Sequence, residues 1–318
     1  MLKSKLFDAA RVALDQCLGV RANETVLIVT DPARWELAVP FRKVAAEMGA
    51  EALLLEMDER QTHGSEPPEL VAAAMAGADV VLAVTTKSLS HTKARKGANQ
   101  AGARVASLPG ITKETMERAL FADYEAIAKR SKEVAQLLSR GENVRITTPA
   151  GTDLSLSIKG REGQPDTGIY HQPGEFGNLP AGEAYIAPVE GSAQGVLVID
   201  GAMSGVGMLK EPIRMEVRDG AVVDLQGPEA GVLRQALEGF GEEAYMIGEL
   251  GVGTNDKAVI CGEVLEDEKV LGTIHLALGN NSFFGGTIQV ASHLDGILRE
   301  PTVLIDGELL LEKGRLIL

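Results

Sequence analysis

The sequence is poor in aromatic side chains, cysteine and positive charge, and each shortage excludes a class of protein. Phe, Trp and Tyr make up 4% of its 318 residues, so Leu, Val, Ala and Ile must build the core. Two cysteines, Cys17 and Cys261, are too few for a disulfide framework or a thiolate zinc site. The formal net charge of −14 leaves no basic excess for binding nucleic acid or an anionic membrane surface.

The chain also lacks an apolar run of the roughly 20 residues that a membrane-spanning helix requires. Its amino terminus, MLKSKLFDAARVALDQCLGV, is amphipathic and interrupted by charges, unlike a secretory signal. We therefore expect a cytoplasmic protein that has neither nucleic acid nor a membrane as its partner.

Short apolar runs alternate with helical periods in the first part of the chain. TVLIVTD indicates a buried strand, as do EALLLEMDE, ADVVLAVTT and ARVASLP, and a long helical stretch runs from Thr112 to about Ser139. Strands that alternate with helices favour a parallel sheet with helices on both faces. No G-x-G-x-x-G or P-loop motif follows any of these strands, so nucleotide binding has no support. We predict a flavodoxin-like parallel-sheet domain over residues 1–140.

After Gly141 the pattern changes to short strands of period two separated by tight turns. NVRITTPAGTDLSLSIKG predicts a hairpin, and Asp219-Gly220 and Asp306-Gly307 are typical of further hairpin turns. One helix, PEAGVLRQALEGF, interrupts the strands. We predict an α+β, mainly antiparallel domain over residues 141–318, which makes the whole chain a two-domain α/β protein.

The H-x-D spacing of His293-Leu294-Asp295 is the first feature that indicates a functional site. In an extended chain, residues two apart point to the same side, so the imidazole and the carboxylate share a face amid apolar neighbours. Such polar groups must be hydrogen-bonded, paired or metal-bound to offset their desolvation. A simple hydrogen bond between His293 and Asp295 is the alternative to a metal site.

Three more residues of ligand type lie in apolar surroundings, namely Glu183 in NLPAGEAYIAP, Glu249 in AYMIGELGVGT and His275 in GTIHLALGNN. A single histidine in an apolar strand is more often a hydrogen-bonded core residue than a ligand. With His293 and Asp295, however, the set offers three carboxylates and two imidazoles. These donors suit a pair of zinc, cobalt or manganese ions that share a water molecule.

The segments around these residues resemble the aminopeptidase T and aminopeptidase S family of metallo-aminopeptidases. The matching stretches are SHTKARKGANQAGAR, VRITTPAGTDLSLSIKGR, GNLPAGEAYIAP, IGELGVGTN, DEKVLGTIHLALGNN and SHLDGILREPTVLIDGELLLEKGRL. The resemblance implies a homodimeric two-metal exopeptidase that removes amino-terminal residues from peptides or related amides. It implies that the metal ligands are Glu183, Glu249, His275, His293 and Asp295, with Glu183 and Glu249 also catalytic.

The chain departs from that family in one residue, and it is shorter than most members of the family. The family has a tyrosine seven residues after the histidine of its H-x-A-x-G segment, and this chain has Ser282 there, which we take as a substrate-binding residue. The resemblance extends to a shorter iron-dependent ring-cleaving enzyme of the 2,5-dihydroxypyridine dioxygenase type. In that case His275, His293 and Asp295 would form a facial triad for Fe(II).

A hydrolytic metal pair needs both Glu183 and Glu249, whereas a mononuclear iron site needs neither. Because both glutamates are present, we favour a metal-dependent, aminopeptidase-like hydrolase over the dioxygenase. A metal-binding homologue without catalytic activity is a third interpretation.

Three further residues are candidates for catalysis or substrate binding. His91, in KSLSHTKARKG, follows the third predicted strand and is a candidate general base; the alternative is an exposed residue at a helix start capped by Ser90. His171 and Glu175 lie in YHQPGEFGNLPAGE, a segment rich in proline and glycine that we predict to be a substrate-binding rim. Glu175 could anchor a substrate amine, and a flexible loop carboxylate is the alternative.

Overall fold

The computed structural model describes residues 5–318. Contacts between Cα atoms group the chain into two units. The first unit comprises the described residues up to Ala126 together with Gly168–Ala181, and the second comprises Ile127–Thr167 together with Gly182–Leu318. The chain therefore returns once to the first unit before it completes the second. The predicted domain boundary at residue 140 stays a prediction.

The helices lie mainly in the first part of the chain. They are α1 Lys5–Val12, α2 Trp35–Glu47, α3 Glu69–Ala76, α4 Lys93–Gln100, α5 Lys113–Arg118, α6 Tyr124–Arg140, α7 Ala230–Leu237 and α8 Val264–Asp267. The stretch predicted as one helix forms two, because two separate caps start them. The Thr112 hydroxyl accepts a hydrogen bond from the Thr115 amide at the start of α5, and the Asp123 carboxylate accepts one from the Ala126 amide at the start of α6. Within residues 5–318, no helix has the length and apolar character needed to span a membrane.

Strands are the main regular secondary structure in the second part of the chain. They are β1 Thr25–Thr30, β2 Glu51–Glu56, β3 Val80–Val84, β4 Arg104–Ser107, β5 Asn143–Thr147, β6 Asp153–Ser157, β7 Gln164–Asp166, β8 Phe176–Asn178, β9 Glu183–Ile186, β10 Gln194–Ile199, β11 Ala202–Met203, β12 Gly207–Met208, β13 Ile213–Arg218, β14 Ala221–Gln226, β15 Ile247–Gly253, β16 Ile274–Gly279, β17 His293–Leu298, β18 Thr302–Ile305, β19 Glu308–Glu312 and β20 Arg315–Leu316.

The first unit contains a parallel sheet in the order β2-β1-β3-β4-β8. Its central strand β3 is apolar and buried along its whole length, because helices cover both faces of a parallel sheet. The four strands predicted from apolar runs are all present. The fifth, β8, comes from the glycine-rich segment that we predicted to be a substrate-binding rim, and it pairs Phe176 with Val105.

The second unit contains two antiparallel sheets. The eight-stranded sheet has the order β14-β13-β10-β6-β5-β18-β19-β20, and the seven-stranded sheet has the order β12-β11-β17-β16-β15-β9-β7. Both predicted Asp-Gly turns adopt positive φ at each residue, as a tight hairpin turn requires: Asp219 at 48° with Gly220 at 79°, and Asp306 at 50° with Gly307 at 91°.

The aliphatic core of the second unit draws on both of its sheets. Buried Leu154 and Leu197 of the eight-stranded sheet belong to the same cluster as Leu250 and Leu276 of the seven-stranded sheet. The predicted fold class, with an amino-terminal parallel sheet and a mainly antiparallel carboxy-terminal region, is confirmed. The seven-stranded sheet carries the candidate site.

Candidate metal centre

Four adjacent strands of the seven-stranded sheet carry the five residues that the sequence predicted as ligands. Glu183 opens β9, Glu249 lies in β15, His275 in β16, and His293 and Asp295 in β17. Residues that pair across antiparallel strands share a face, as do residues two apart along a strand. The pairs Glu249 with Ala277, Ala277 with Asp295, and Glu183 with Gly253 therefore place all five side chains on one face of the sheet.

The five side chains form a continuous chain of contacts across that face. His275 Nε2 lies 3.4 Å from Glu183 Oε2 and 3.2 Å from Glu249 Oε1. His293 Nε2 lies 3.2 Å from Glu249 Oε2 and 3.3 Å from Asp295 Oδ1. The Glu249 carboxylate thus bridges two imidazoles, one on each of its oxygen atoms.

Two groups of three side chains within this region have the spacing of metal ligands. In one group the donor atoms of Glu249, His293 and Asp295 lie within 4.8 Å of one another, and in the other the same holds for Glu183, Glu268 and His275. The His275–His293–Asp295 triad that we weighed from the sequence is not one of these groups. Instead, His275 approaches the first group through Glu249.

The site is buried except at one imidazole. His275 is inaccessible to solvent and the three carboxylates are almost so, whereas the His293 side chain is 33% exposed. Burial lowers the pKa of His275, but the hydrogen bond with Glu249 and the Glu183 charge outweigh burial and raise that pKa to about 9. Burial also acts to lower the pKa of His293, but Asp295 and Glu249 outweigh it and raise that pKa well above its ordinary value. Without a metal ion, both imidazoles therefore hold protons between the carboxylates.

The pKa values of the three carboxylates shift in different directions because their partners differ. Burial raises the pKa of Glu249, but hydrogen bonds from His275 and His293 more than offset this and lower it below its ordinary value. Burial also raises the pKa of Asp295, and the charge of His293 more than offsets it in the same way. Burial raises the pKa of Glu183 to about 8, although the Lys269 charge acts in the opposite direction. Glu249 and Asp295 are thus the two carboxylates whose charged form the imidazoles stabilise, which favours the group around His293 as the cation site.

The backbone positions both imidazoles. His293 Nδ1 donates a hydrogen bond to the Asn280 carbonyl at 2.7 Å, which leaves Nε2 to face the carboxylates. His275 lies against Gly251 of the neighbouring strand, where a Cβ atom would be 2.0 Å from His275 Nε2. Glycine is therefore required at residue 251 for the imidazole to occupy its place.

The donor atoms fit a divalent metal ion. In the group that Glu183 forms with Glu268 and His275, Glu183 Oε2 is buried without a hydrogen-bond partner, a costly state in a site otherwise rich in polar contacts. Imidazole and carboxylate donors suit iron, zinc, manganese or cobalt. A divalent cation that displaced the two imidazole protons would leave the charge of the group around Glu249 and Asp295 unchanged.

An aromatic cavity adjoins the exposed side of this centre. The rings of Tyr185 and Phe284 meet edge to face with centroids 5.3 Å apart, and Phe284 meets the His293 ring in the same way at 6.3 Å. These two aromatic residues belong to a cavity of about 400 Å³ whose lining is Gly160, Arg161, Glu162, Gln164, Tyr185, Phe283, Phe284 and Gly285. An aromatic ligand could therefore contact both rings beside His293.

Sequence reasoning missed Tyr185, Glu268 and Lys269. Tyr185 follows Glu183 by two residues on a strand, so the period-two rule would have placed its phenol on the ligand face. Burial, with the charges of Glu183 and Asp166, raises the pKa of Tyr185, so that it stays protonated. No comparable signal marks Glu268 and Lys269, which lie in a loop between α8 and β16.

Ser282 and His91 make local contacts in different units. The Ser282 hydroxyl donates to the Asn280 side chain at 2.9 Å within the loop that joins β16 to β17. His91 belongs to the first unit and lies in the turn before α4. Thr92 caps α4, because its hydroxyl accepts a hydrogen bond from the Arg95 amide. The alternative named Ser90 as the cap. The predicted roles of Ser282 and His91 stay predictions.

His171 and Glu175 also belong to the first unit. His171 Nε2 lies 2.8 Å from the Gln16 carbonyl, and the Glu175 carboxylate accepts a hydrogen bond from the Gln172 amide. Both contacts hold the segment that leads into β8. The predicted substrate-binding roles of His171 and Glu175 stay predictions.

The fold and the buried imidazole–carboxylate centre together define a metal-dependent enzyme. The family model NicX, described as 2,5-dihydroxypyridine 5,6-dioxygenase, matches residues 5–318. The chain belongs to this family.

Individual relatives agree with the family. A 2,5-dihydroxypyridine 5,6-dioxygenase of Pseudomonas putida KT2440 is 25% identical over 255 residues, which cover 76% of this chain and 71% of the relative. A solved structure of 2,5-dihydroxypyridine dioxygenase from the same organism superposes with a TM-score of 0.82 at 19% identity, over 99% of this chain and 98% of the other. AmpT from Thermus thermophilus superposes with a TM-score of 0.73 at 19% identity over the whole of both chains.

These matches correct the sequence interpretation. Membership of the aminopeptidase T and aminopeptidase S family is wrong, because the family match and the related sequence are both dioxygenases. The expected peptidase and hydrolase activity, and the peptide or amide substrate, are wrong with it. AmpT shares the fold. Because the two families share this fold, the candidate ligand residues did not distinguish between them. The expected homodimer stays a prediction.

Proposed function

We propose that this chain is a metal-dependent dioxygenase that cleaves a hydroxylated pyridine ring of the 2,5-dihydroxypyridine type. The observation that carries the proposal is the cluster of Glu249, His293 and Asp295, in which both carboxylates are buried and the partly exposed His293 ring meets Phe284 of an aromatic cavity. Family membership supports the reaction class, since the family is described by cleavage of that ring.

The metal ion would be held by Glu249, His293 and Asp295, with His275 contributing from β16. Two imidazoles with carboxylates are the donors that non-haem Fe(II) oxygenases use, and we propose Fe(II) as the ion. When bound, Fe(II) supplies the redox chemistry that allows molecular oxygen to react with an electron-rich ring.

The aromatic cavity would hold the substrate ring. A planar heterocycle placed against Phe284 and Tyr185 gains edge-to-face or offset contacts worth about 0.5–1.5 kcal/mol beyond the burial of its area. His293 is the exposed member of the cluster, so a ring in this cavity approaches the metal from the His293 side. The cavity volume of about 400 Å³ lies in the usual range for small-molecule sites.

Tyr185 would act as a hydrogen-bond donor to the substrate. Its raised pKa keeps the phenol protonated at neutral pH. The Tyr185 hydroxyl therefore donates to a hydroxyl oxygen attached to the substrate ring and cannot serve as the base. Its position two residues after Glu183 brings the phenol to the face that carries the ligands. The chain therefore provides a tyrosine at the site even though residue 282 is serine.

Oxygen uptake tests the proposal. Protein reconstituted anaerobically with Fe(II) is mixed with 2,5-dihydroxypyridine in an oxygen electrode, with pyridine as the unsubstituted control ring. We expect one oxygen molecule consumed for each ring opened, no uptake with pyridine, and no uptake by H293A. The matched control Lys257→Met, at an exposed lysine paired with Asp256, should behave as wild type. Iron-loaded wild type that consumes no oxygen with any dihydroxypyridine isomer would contradict the proposal.

A further inference from the structure

One irregular loop carries the aromatic wall of the cavity beside His293. Residues 280–292 join β16 to β17 without forming a helix or a strand. The loop carries Phe284, whose ring centroid lies 5.3 Å from that of Tyr185 and 6.3 Å from that of His293. A segment outside the hydrogen-bonded sheet keeps one conformation only through the contacts that its own residues make. The position of Phe284 therefore depends on what fastens this loop.

The buried side chain of Asn281 closes the base of the loop. Its Oδ1 accepts a hydrogen bond from the Ile288 amide at 2.8 Å, and its backbone carbonyl accepts hydrogen bonds from the Phe284 and Gly286 amides. Gly286 packs so closely on this side chain that an added Cβ atom would lie 2.0 Å from Asn281 Cγ. The turn that presents Phe284 is thus built around Asn281.

A carboxylate from another part of the chain fastens this turn. Glu190, between β9 and β10, accepts hydrogen bonds on Oε1 from the Asn281 side-chain amide at 3.1 Å and from the Thr287 amide at 2.7 Å. Its Oε2 pairs with Arg161 Nη2, and Arg161 Nη1 donates to the Gly285 carbonyl. Glu190 and Arg161 together therefore hold the loop by two amide groups and one carbonyl.

These contacts are charge-assisted and largely shielded from water. The side chains of Arg161 and Glu190 are 16% and 21% exposed, and hydrogen bonds to ionised groups are roughly twice as strong as those between neutral groups. Burial raises the pKa of Glu190, but its hydrogen bonds, first among them that from the Thr287 amide, more than offset this and lower that pKa below its ordinary value. Arg161 lines the cavity, whereas Glu190 is not among the lining residues that residues 5–318 provide. Glu190 can therefore affect a bound ring only through the residues that it holds.

We propose that Glu190 is a positioning residue for substrate binding, which holds the loop that carries Phe284 beside His293. The proposal rests on the proposed function, because it takes the aromatic cavity as the substrate site, and it deepens that function by assigning a residue that sets the affinity for the ring without touching it. Loss of the Glu190 carboxylate removes the acceptor of two loop amides and the partner of Arg161 in one step. The metal ligands lie on paired strands and do not depend on that carboxylate.

Two alanine variants test the proposal. Glu312→Ala is the matched control, because Glu312 is an exposed glutamate that also pairs with an arginine, Arg315. Hydrogen exchange of the metal-free chains, followed by mass spectrometry, should show residues 282–288 exchanging at least tenfold faster in E190A and unchanged in E312A. Anaerobic equilibrium dialysis of Fe(II)-loaded protein should show the affinity for 2,5-dihydroxypyridine falling three- to tenfold in E190A, with iron per chain unchanged. In oxygen uptake KM should rise by the same factor while kcat stays within twofold of wild type.

A Phe284→Ala background separates positioning from a general structural role. Because Glu190 acts through Phe284, adding E190A to F284A should weaken ring binding by less than a further twofold. A further loss as large as that in wild type overturns the proposal, as does wild-type exchange or wild-type ring affinity in folded E190A. Loss of iron from E190A overturns it as well. Each of these results leaves the proposed function intact.

Failure of the proposed function gives a different result. Wild type that binds the ring but consumes no oxygen overturns the proposed function alone, and wild type that does not bind the ring overturns both. If E190A does not fold, Glu190→Gln decides, because glutamine keeps an oxygen for the loop amides but turns an amide nitrogen toward Arg161. We expect E190Q to exchange residues 282–288 at least threefold faster and to bind the ring at least twofold more weakly. A wild-type value for either measurement would overturn the proposal.

Discussion

Replacing Gly251 by alanine should weaken metal binding without unfolding the protein. The backbone at residue 251 does not have the positive φ that disfavours other residues, and the nearest obstacle to a Cβ atom is the His275 ring. The new Cβ would lie 2.0 Å from Nε2 and 2.1 Å from Cε1, whereas ordinary contact begins at 3.4 Å. The imidazole must therefore retreat by about 1.4 Å, which is the difference between those distances.

The size of the effect follows from the tolerance of metal sites. Ligand distances hold to within about 0.2 Å, so a ring displaced this far neither binds the ion nor keeps its hydrogen bond with Glu249. Loss of such a supporting contact typically lowers metal affinity by about 10- to 100-fold, or roughly 1.4–2.8 kcal/mol. Overpacking should cost a further loss of about 1–3 kcal/mol in folding stability.

Competition with a chromogenic chelator measures the affinity, and circular dichroism checks the fold. Gly231→Ala is the matched control, because Gly231 lies in α7 and a Cβ atom added there would have no neighbour within 4 Å. G231A should bind metal as wild type does and gain up to about 1 kcal/mol of stability, since alanine favours helices. A folded G251A that binds metal with wild-type affinity would refute the role assigned to His275.

Three further predictions concern the same centre. His293→Ala should lose the metal ion and also lower the Tm in chelator, because it removes the imidazole that compensates the buried Glu249 and Asp295 carboxylates; elemental analysis with thermal melting checks this. Phe284→Ala should raise KM for the ring substrate about two- to tenfold with metal content unchanged, whereas the exposed Phe240→Ala should not, as steady-state oxygen uptake will reveal. In chelator, protonated His275 contributes stability that is complete below its ordinary pKa of 6.5 and is lost as pH rises through about 9. Melting curves across that range should show the decline, and metal affinity should rise over the same range because the ion replaces protons.

The fold was predictable wherever burial imposes a pattern on the sequence. The strand TVLIVT is apolar and β-branched because both faces of the parallel sheet are covered, and the Asp-Gly turns carry the residues that positive φ requires. The fifth strand of that sheet was missed because Phe176–Asn178 is short and rich in turn residues. It pairs with a strand some 70 residues earlier, and local sequence holds no signal for such long-range pairing.

The five candidate ligands were predictable because they are polar residues in apolar segments, but their arrangement was not. Which imidazole each carboxylate contacts depends on the register of four strands, and register is fixed by pairing across the sheet. Lys269 was missed for the same reason, since its three carboxylate partners come from distant segments and from its own neighbour. The choice of family failed because a shared fold can carry similar ligands for different chemistry.

The measurement that tests the central claim most directly is the fate of labelled oxygen. Iron-loaded protein is incubated with 2,5-dihydroxypyridine under ¹⁸O₂, and the product is analysed by mass spectrometry at once, before exchange with water. A ring-cleaving dioxygenase places both labelled atoms in a single ring-opened product, and H293A yields none. A product with one labelled atom, or an intact ring after oxygen has been consumed, would contradict the account.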